Sequence, residues 1–159
     1  MEEAKQTKLN SQITGTIKGL VSFMGACGEI RVDHNIGGIL VSVYTEEDAR
    51  ILIGKNGQNL NALEHILRLI MNKQNVDFST PISLDINDYK KSRALLVLDI
   101  AKEAVERVRN TRKAEALTPM SAYERKLVHT ELASCPDIIT ESIGEGPQRR
   151  IVIKPYLPI

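Results

Sequence analysis

Residues 51–67 read ILIGKNGQNLNALEHIL, two glycines three apart inside apolar residues at helical spacing. A Gly-Lys-Asn-Gly tetrad in that setting can be a hairpin turn, a phosphate loop or the break between two helices. A hairpin turn needs strands on both sides. Here both flanks have helical period, with Ala49, Leu52 and Ile53 before the turn and Leu60, Leu63, Leu67 and Ile70 after it. A Walker-type loop needs Gly-x4-Gly-Lys-Ser/Thr behind a strand, and this stretch has neither that spacing nor the hydroxyl. What remains is a helix, a tight Gly-x-x-Gly turn and a second helix. Without side chains at Gly54 and Gly57, backbone can come against a sugar-phosphate strand. The start of the following helix offers unpaired N–H groups and a positive dipole end. Lys55 adds a mobile cation beside Asn56. The plainer alternative is a helix–helix corner whose glycines only permit the turn.

Outward from this stretch, the period changes several times. Ile13, Ile17, Leu20, Val21 and Met24 recur at helical spacing and Gly25 offers a stop, which predicts a helix over about 9–24. Ile30 and Val32 alternate with polar neighbours, Asn35 to Gly38 supplies turn chemistry, and Ile39, Val41 and Val43 alternate again, which predicts a hairpin. Helical spacing returns over 46–53. Beyond the Leu60 helix, Pro81 precedes a third strand, in which Ile82, Leu84 and Ile86 alternate with Ser83, Asp85 and Asn87. A long helix follows over roughly 88–113, with Ala94, Leu98, Ala101, Val105 and Val108 on one stripe. Arg107, Arg109, Arg112 and Lys113 in its last turns suit the negative end of a helix. After a short apolar piece, Glu115 to Leu117, the run TPMSAYERKLVHTELA predicts a helix with Thr118 as N-cap, Pro119 at the first helical position and a Ser121/Glu124 capping box. Two strands, about 138–143 and 149–154, close the chain around GEGP. The domain boundary is expected near 88, giving domains 1–87 and 88–159.

Composition bounds the chemistry. The chain has 159 residues, 42% hydrophobic and 26% charged, enough for one medium domain or two small ones. No apolar run is long enough to span a bilayer, and the polar opening MEEAKQTKLN carries no secretion signal, so no membrane insertion is expected. Cys27 and Cys135 stand far apart without a CxxC or Cys/His cluster, which reads as two free thiols in a reducing compartment, the cytoplasm. A net charge of +1 means that any nucleic-acid surface must be local. With four Tyr, two Phe and no Trp, a platform that stacks base after base is not expected.

In the second half, Arg125 and His129 are four apart on one predicted helix and share a face. An arginine with a histidine one turn away can grip a phosphate or fix a backbone carbonyl. In the last strand Arg150, Val152 and Lys154 share the face opposite Ile151 and Ile153, with Arg149 at the entrance. Helix and strand are expected to form one local positive surface. The alternative is solubility charge on an edge strand.

Helix-strand-strand-helix-(Gly-x-x-Gly)-helix-strand, with LIGKNGQNL at the turn, resembles the type II KH domain, in which that loop clamps about four nucleotides. PMSAYERKLVHTEL followed by ESIGEGPQRRIVIKP resembles the R-three-H domain, named for its Arg-x-x-x-His helix and associated with single-stranded nucleic acid. Together, in this order and over about residues 9–156, they resemble the Jag (SpoIIIJ-associated) family. The resemblance implies an α+β chain: a type II KH domain joined by a long helix to a small R-three-H α/β domain. Carried over by position, Gly54, Lys55, Asn56 and Gly57 match the KH loop, and Arg125 and His129 match the signature pair. Jag proteins usually begin with a further small domain, which the ten polar opening residues cannot form.

The leading expectation is a non-catalytic protein that binds single-stranded RNA, with single-stranded DNA as the alternative ligand, through Gly54, Lys55, Asn56, Gly57, Arg125, His129, Arg149, Arg150 and Lys154. The family implies a post-transcriptional regulator linked to cell elongation or envelope processes. No nucleophile–base set or metal cluster argues for catalysis, and no cofactor is expected. His34, in a strand, and His65, on the Leu60 helix, read as packed or surface histidines. The rival expectation is an interaction protein whose KH face dimerises with itself or with a small KH partner.

Overall fold

The computed structural model describes residues 2–74 and 80–157. The chain forms two compact units, Met1–Lys90 and Lys91–Ile159, each around its own apolar core.

The first unit runs α1 (Glu2–Phe23), β1 (Glu29–Asn35), β2 (Gly38–Tyr44), α2 (Ala49–Ile53), a 3₁₀ turn (Lys55–Gly57), α3 (Gln58–Lys73) and β3 (Ile82–Ile86). β1 and β2 form the expected antiparallel hairpin, and β3 lies parallel to β2 in the order β1-β2-β3. A parallel pair needs a crossover, which α2 and α3 provide. Ile13, Ile17 and Val21 from α1, Ile39, Val41 and Val43 from β2, Leu60, Leu63, Leu67 and Met71 from α3, and Ile82, Leu84 and Ile86 from β3 fill the core. Each fully buried aliphatic contributes about 1.5–3 kcal/mol. α1 begins well before its apolar period predicts. Its first turns carry only polar and small residues, so periodicity had nothing to mark there. Glu64 of α3 accepts the Leu84 N–H at 2.8 Å and pairs with Lys90 at 2.6 Å, and Arg68 Nε donates to the Ile82 carbonyl at 2.7 Å. These contacts tie α3 to the outer edge of β3.

The second unit has α4 (Tyr89–Thr111), β4 (Glu115–Ala116), α5 (Ala122–Leu132), β5 (Ile138–Ile143) and β6 (Arg150–Pro155). The boundary between the units falls in the first turn of α4. β6 is the middle strand of an antiparallel sheet in the order β4-β6-β5, so its charges do not sit on an edge strand. The piece Glu115 to Leu117, expected only as a short apolar stretch, supplies the third strand. Val97, Ala101, Ala104, Val105 and Val108 form the buried stripe of α4, whereas Ala94 and Leu98 are half-buried. The basic residues at the end of α4 are engaged with acids: Arg107 holds Glu115 through Nε and Nη2, and Arg109 holds Asp137 at 2.7 Å and Glu106 at 2.6 Å.

The start of α5 differs from expectation. Ser121, not Thr118, is the N-cap, with a full capping box to Glu124. Leu117 N–H donates to the Ile151 carbonyl and Met120 N–H to the Arg149 carbonyl, at 2.8 and 3.1 Å. Residues 117–120 are thereby held along β6, and the helix cannot begin before that tether ends. No helix among the described residues is long and apolar enough to cross a membrane.

Candidate nucleic-acid interface

The Gly-x-x-Gly turn joins α2 to α3 as two helices at a sharp break. Gly54 has φ 71° and ψ −179°, a region essentially closed to side chains. A Cβ there would lie 2.6 Å from Cγ of Asn59, whose Nδ2 donates to the Ile51 carbonyl at 2.7 Å and so holds the end of α2. Gly57 has φ 79°, and a Cβ on it would lie 3.0 Å from Cε1 of Tyr89. Gly54 is therefore required by dihedral and by space, while at Gly57 the left-handed dihedral disfavours a side chain and the Tyr89 ring leaves a Cβ only tight room. Between them Asn56 takes φ 53°, ψ 28°, a left-handed conformation that asparagine tolerates better than most residues. Lys55 and Asn56 are exposed at the tip, while Gly57 is buried. α3 starts with no side-chain cap and no acid in its first turn. Its N–H groups and positive dipole end thus remain uncompensated by protein carboxylates.

The second cluster stands on α5 and the sheet beneath it. Val128 and Leu132 pack into the core with Ile151 and Ile153, so α5 covers the Ile151/Ile153 side of the sheet. Arg125 Nη1 donates to the Met120 carbonyl at 2.8 Å. Of the two roles open to this arginine, the structure displays the carbonyl contact and leaves Nε and Nη2 for a further acceptor. His129 Nδ1 lies 2.7 Å from Thr140 Oγ1 on β5. Arg149 Nε donates to Ser142 Oγ, also on β5, at 3.1 Å.

The expected single surface of helix and strand divides in two. Thr140 pairs with Ile153 and Ser142 with Ile151, so both hydroxyls lie on the α5 side. Arg149, by its bond to Ser142, joins them there. Arg150 and Lys154 alternate with Ile151 and Ile153 and lie on the opposite face, with Val152 and Glu141. Lys154 is ion-paired with Glu141 there, and Arg150 bonds the Gln148 carbonyl and side-chain oxygen at 3.1 and 3.0 Å. The reason is the period of two: residues 149 and 150 necessarily project to opposite sides. Sequence reasoning passed over Asn59, Tyr89, Met120, Thr140 and Ser142. The only signal for the last two was the alternation of hydroxyls in ITES, two apart on one strand face.

Among cations of the second unit, the partner type separates two groups. Arg93, Lys102, Arg107, Arg109 and Lys154 face carboxylates. Arg125, Arg149 and Arg150 are held only by neutral oxygens. The second group keeps its charge available to an outside anion.

Two separate α+β units, with an Arg-x-x-x-His helix on a three-stranded sheet in the second, define the class: residues 95–155 match the R-three-H domain. The relatives extend the match over most of the chain. RNA-binding protein KhpB of Clostridium symbiosum is 35% identical over 131 residues, 82% of this chain and 59% of that protein. RNA-binding protein KhpB of Bacillus subtilis (strain 168) is 36% identical over 111 residues, 69% of this chain and 53% of its own length. That of Lactiplantibacillus plantarum is 31% identical over 134 residues, 84% and 41%. The chain thus resembles the Jag family over most of its length, and residues 95–155 form its R-three-H domain. It spans about half the length of these curated relatives.

Proposed function

We propose that the chain is a non-catalytic single-stranded RNA-binding protein, with residues 1–87 as a type II KH domain and 88–159 as the connecting helix and R-three-H domain. Gly54, Lys55, Asn56 and Gly57 take the backbone of the strand at the first domain. Arg125, His129 and Arg149 take it at the second. Arg150 and Lys154 add positive potential on the other face of the sheet, weaker at Lys154 because Glu141 opposes it. The observation that carries the reading is the turn at 54–57, where two positive-φ glycines present Lys55 and Asn56 at a helix start free of caps and acids. The mixed sheet in the order β1-β2-β3, with the turn inside its crossover, supports the KH assignment. The name RNA-binding protein carried by the KhpB relatives supports the ligand. In the cell this becomes cytoplasmic post-transcriptional regulation linked to elongation or envelope processes.

Titrating the chain with labelled single-stranded RNA and with duplex RNA over a salt series tests the proposal. Single strand is expected to bind, more weakly as salt rises, with little affinity for duplex; single-stranded DNA measured alongside tells whether the sugar matters. Equal affinity for duplex at physiological salt, or no binding at low salt, sinks it. A salt-insensitive dimer with no RNA affinity would move the function to self-association of the KH face or pairing with a small KH partner.

A further inference from the structure

A circuit of four hydrogen bonds, joined by the backbone of α5 and β5, runs round the α5–β5 flank. Arg125 Nη1 donates to the Met120 carbonyl, and the Met120 N–H donates to the Arg149 carbonyl, at 2.8 and 3.1 Å. Arg149 Nε reaches Ser142 Oγ at 3.1 Å. Two residues along β5, Thr140 Oγ1 meets His129 Nδ1 at 2.7 Å, and His129 stands one turn beyond Arg125. No carboxylate among the described residues enters the circuit. Those carried by α5 and β5 are engaged elsewhere: Glu124 with Arg93, Glu131 with Lys102 and Glu141 with Lys154. β6 carries none.

The circuit orients its cations by neutral oxygens. A carboxylate at position 140 or 142 would hold the same side chains but cancel their charge, as Asp137 does for Arg109. A hydroxyl fixes direction and leaves the potential intact. Nε and Nη2 of Arg125, both Nη groups of Arg149 and Nε2 of His129 remain to meet another acceptor. For His129 that role has a condition. A phosphate oxygen at Nε2 needs a proton on that nitrogen, and a neutral imidazole then accepts at Nδ1, so the Thr140 hydroxyl must be the donor.

Resting on the RNA-binding reading, we propose that Thr140 and Ser142 are positioning residues for an anion site. They aim His129 Nε2–H and the Arg149 guanidinium, together with Arg125, at one phosphodiester of the bound strand. Thr140, donating its hydroxyl proton to Nδ1, favours the Nε2–H tautomer of His129, and Ser142 sets the direction of Arg149.

The test uses the whole chain, a random-sequence single-stranded RNA pool, and the variants Thr140→Val, Thr140→Ser, Ser142→Ala and Arg149→Gln, with thermal unfolding on each. Thr140→Val and Ser142→Ala are each expected to weaken binding about fivefold, the worth of one orienting hydrogen bond, with the salt slope unchanged because no charge is lost. Arg149→Gln is expected to flatten that slope by roughly 0.7. Thr140→Ser restores affinity. Nitrogen-15 NMR of the histidines, without RNA, should show His129 protonated at Nε2 in the parent and Thr140→Ser, and a tautomer mixture in Thr140→Val. If the parent chain binds but Thr140→Val and Ser142→Ala bind equally well, or lose binding only in step with folded fraction, the inference is overturned and the RNA reading stands. An Nδ1-protonated His129 also overturns it. Failure of the parent chain to bind at low salt overturns the RNA reading, and this inference with it.

Discussion

At the scale of single residues, the turn at 54–57 separates what a side chain does for the fold from what it does for a ligand. Gly54→Ala puts a Cβ against Asn59 at a dihedral pair essentially confined to glycine. It is expected to destabilise the first unit by roughly 1–3 kcal/mol, visible as a lower unfolding temperature. Lys55→Asp with Asn56→Asp changes only exposed positions, so stability should move by less than about 0.5 kcal/mol. RNA affinity should fall sharply, because two carboxylates then face phosphate at the start of α3. Unchanged affinity at unchanged stability would make the turn a structural corner. The glycine spacing was legible in the sequence, since only a turn between two helical periods accommodates it. Asn59 and Tyr89, which crowd the glycines, were not legible, because their contacts with the turn exist only after the chain folds back.

Among the elements, α5 depends on its first turn. Ser121 Oγ accepts the Glu124 N–H at 3.3 Å, Glu124 Oε2 accepts the Ser121 N–H at 2.8 Å, and Glu124 Oε1 takes Arg93 of α4 at 2.7 Å. One carboxylate thus caps α5 and docks it on α4. Its side chain is only 7% exposed, and that of Arg93 17%. Ser121→Ala is expected to cost about 1 kcal/mol, a typical N-cap loss. Glu124→Ala should cost more, roughly 3–5 kcal/mol, since it also strands a largely buried guanidinium. Denaturant unfolding of both variants gives the ranking; equal losses would mean that the Arg93 contact contributes nothing. The capping box was legible from Ser-x-x-Glu alone. The misplaced N-cap at Thr118 shows what overrode the local signal: hydrogen bonds from Leu117 to Ile151 of β6 and from Met120 to Arg149 just before it, residues far along the chain.

For the molecule as a whole, each unit carries an acid whose ionisation is coupled to folding. Burial alone would raise the Glu64 carboxyl, but the Leu84 N–H, Lys90 and Arg68 outweigh it and hold it below its ordinary value. In the second unit the Arg109 hydrogen bonds hold Asp137 below the usual carboxylate range. A pKa lowered on folding stabilises fully above the unfolded value, near ~4.3 for a glutamate, and that stability is lost as pH falls toward the folded pKa. Acid should therefore destabilise both units as pH falls through and below the unfolded carboxylate range. Glu64→Gln should lower the stability of the first unit at neutral pH and make its dependence on pH shallower in that window. Unfolding followed across pH by probes in each unit checks this; an unchanged slope in Glu64→Gln would remove Glu64 as its source.

What the amino-acid order determined by itself was local: the periods of α1, α3, α4 and α5, the β1–β2 hairpin, the β3 strand, the Gly-x-x-Gly turn and the Ser121/Glu124 cap. Each rests on neighbours within a few residues, where backbone geometry alone decides which side chains share a face. Tertiary structure alone decided which strand lies in the middle of the second sheet, and hence that Glu115 and Ala116 pair with β6. It also decided that Arg149 stands with Arg125 and His129 while Arg150 and Lys154 lie on the opposite face. Strand alternation was readable, but which face α5 would cover was not, because that choice is made by burying Ile151 and Ile153 against Val128 and Leu132. The same packing brings Thr140 to His129 and Ser142 to Arg149. No local pattern can announce those contacts, since each joins residues whose proximity exists only once the core has closed.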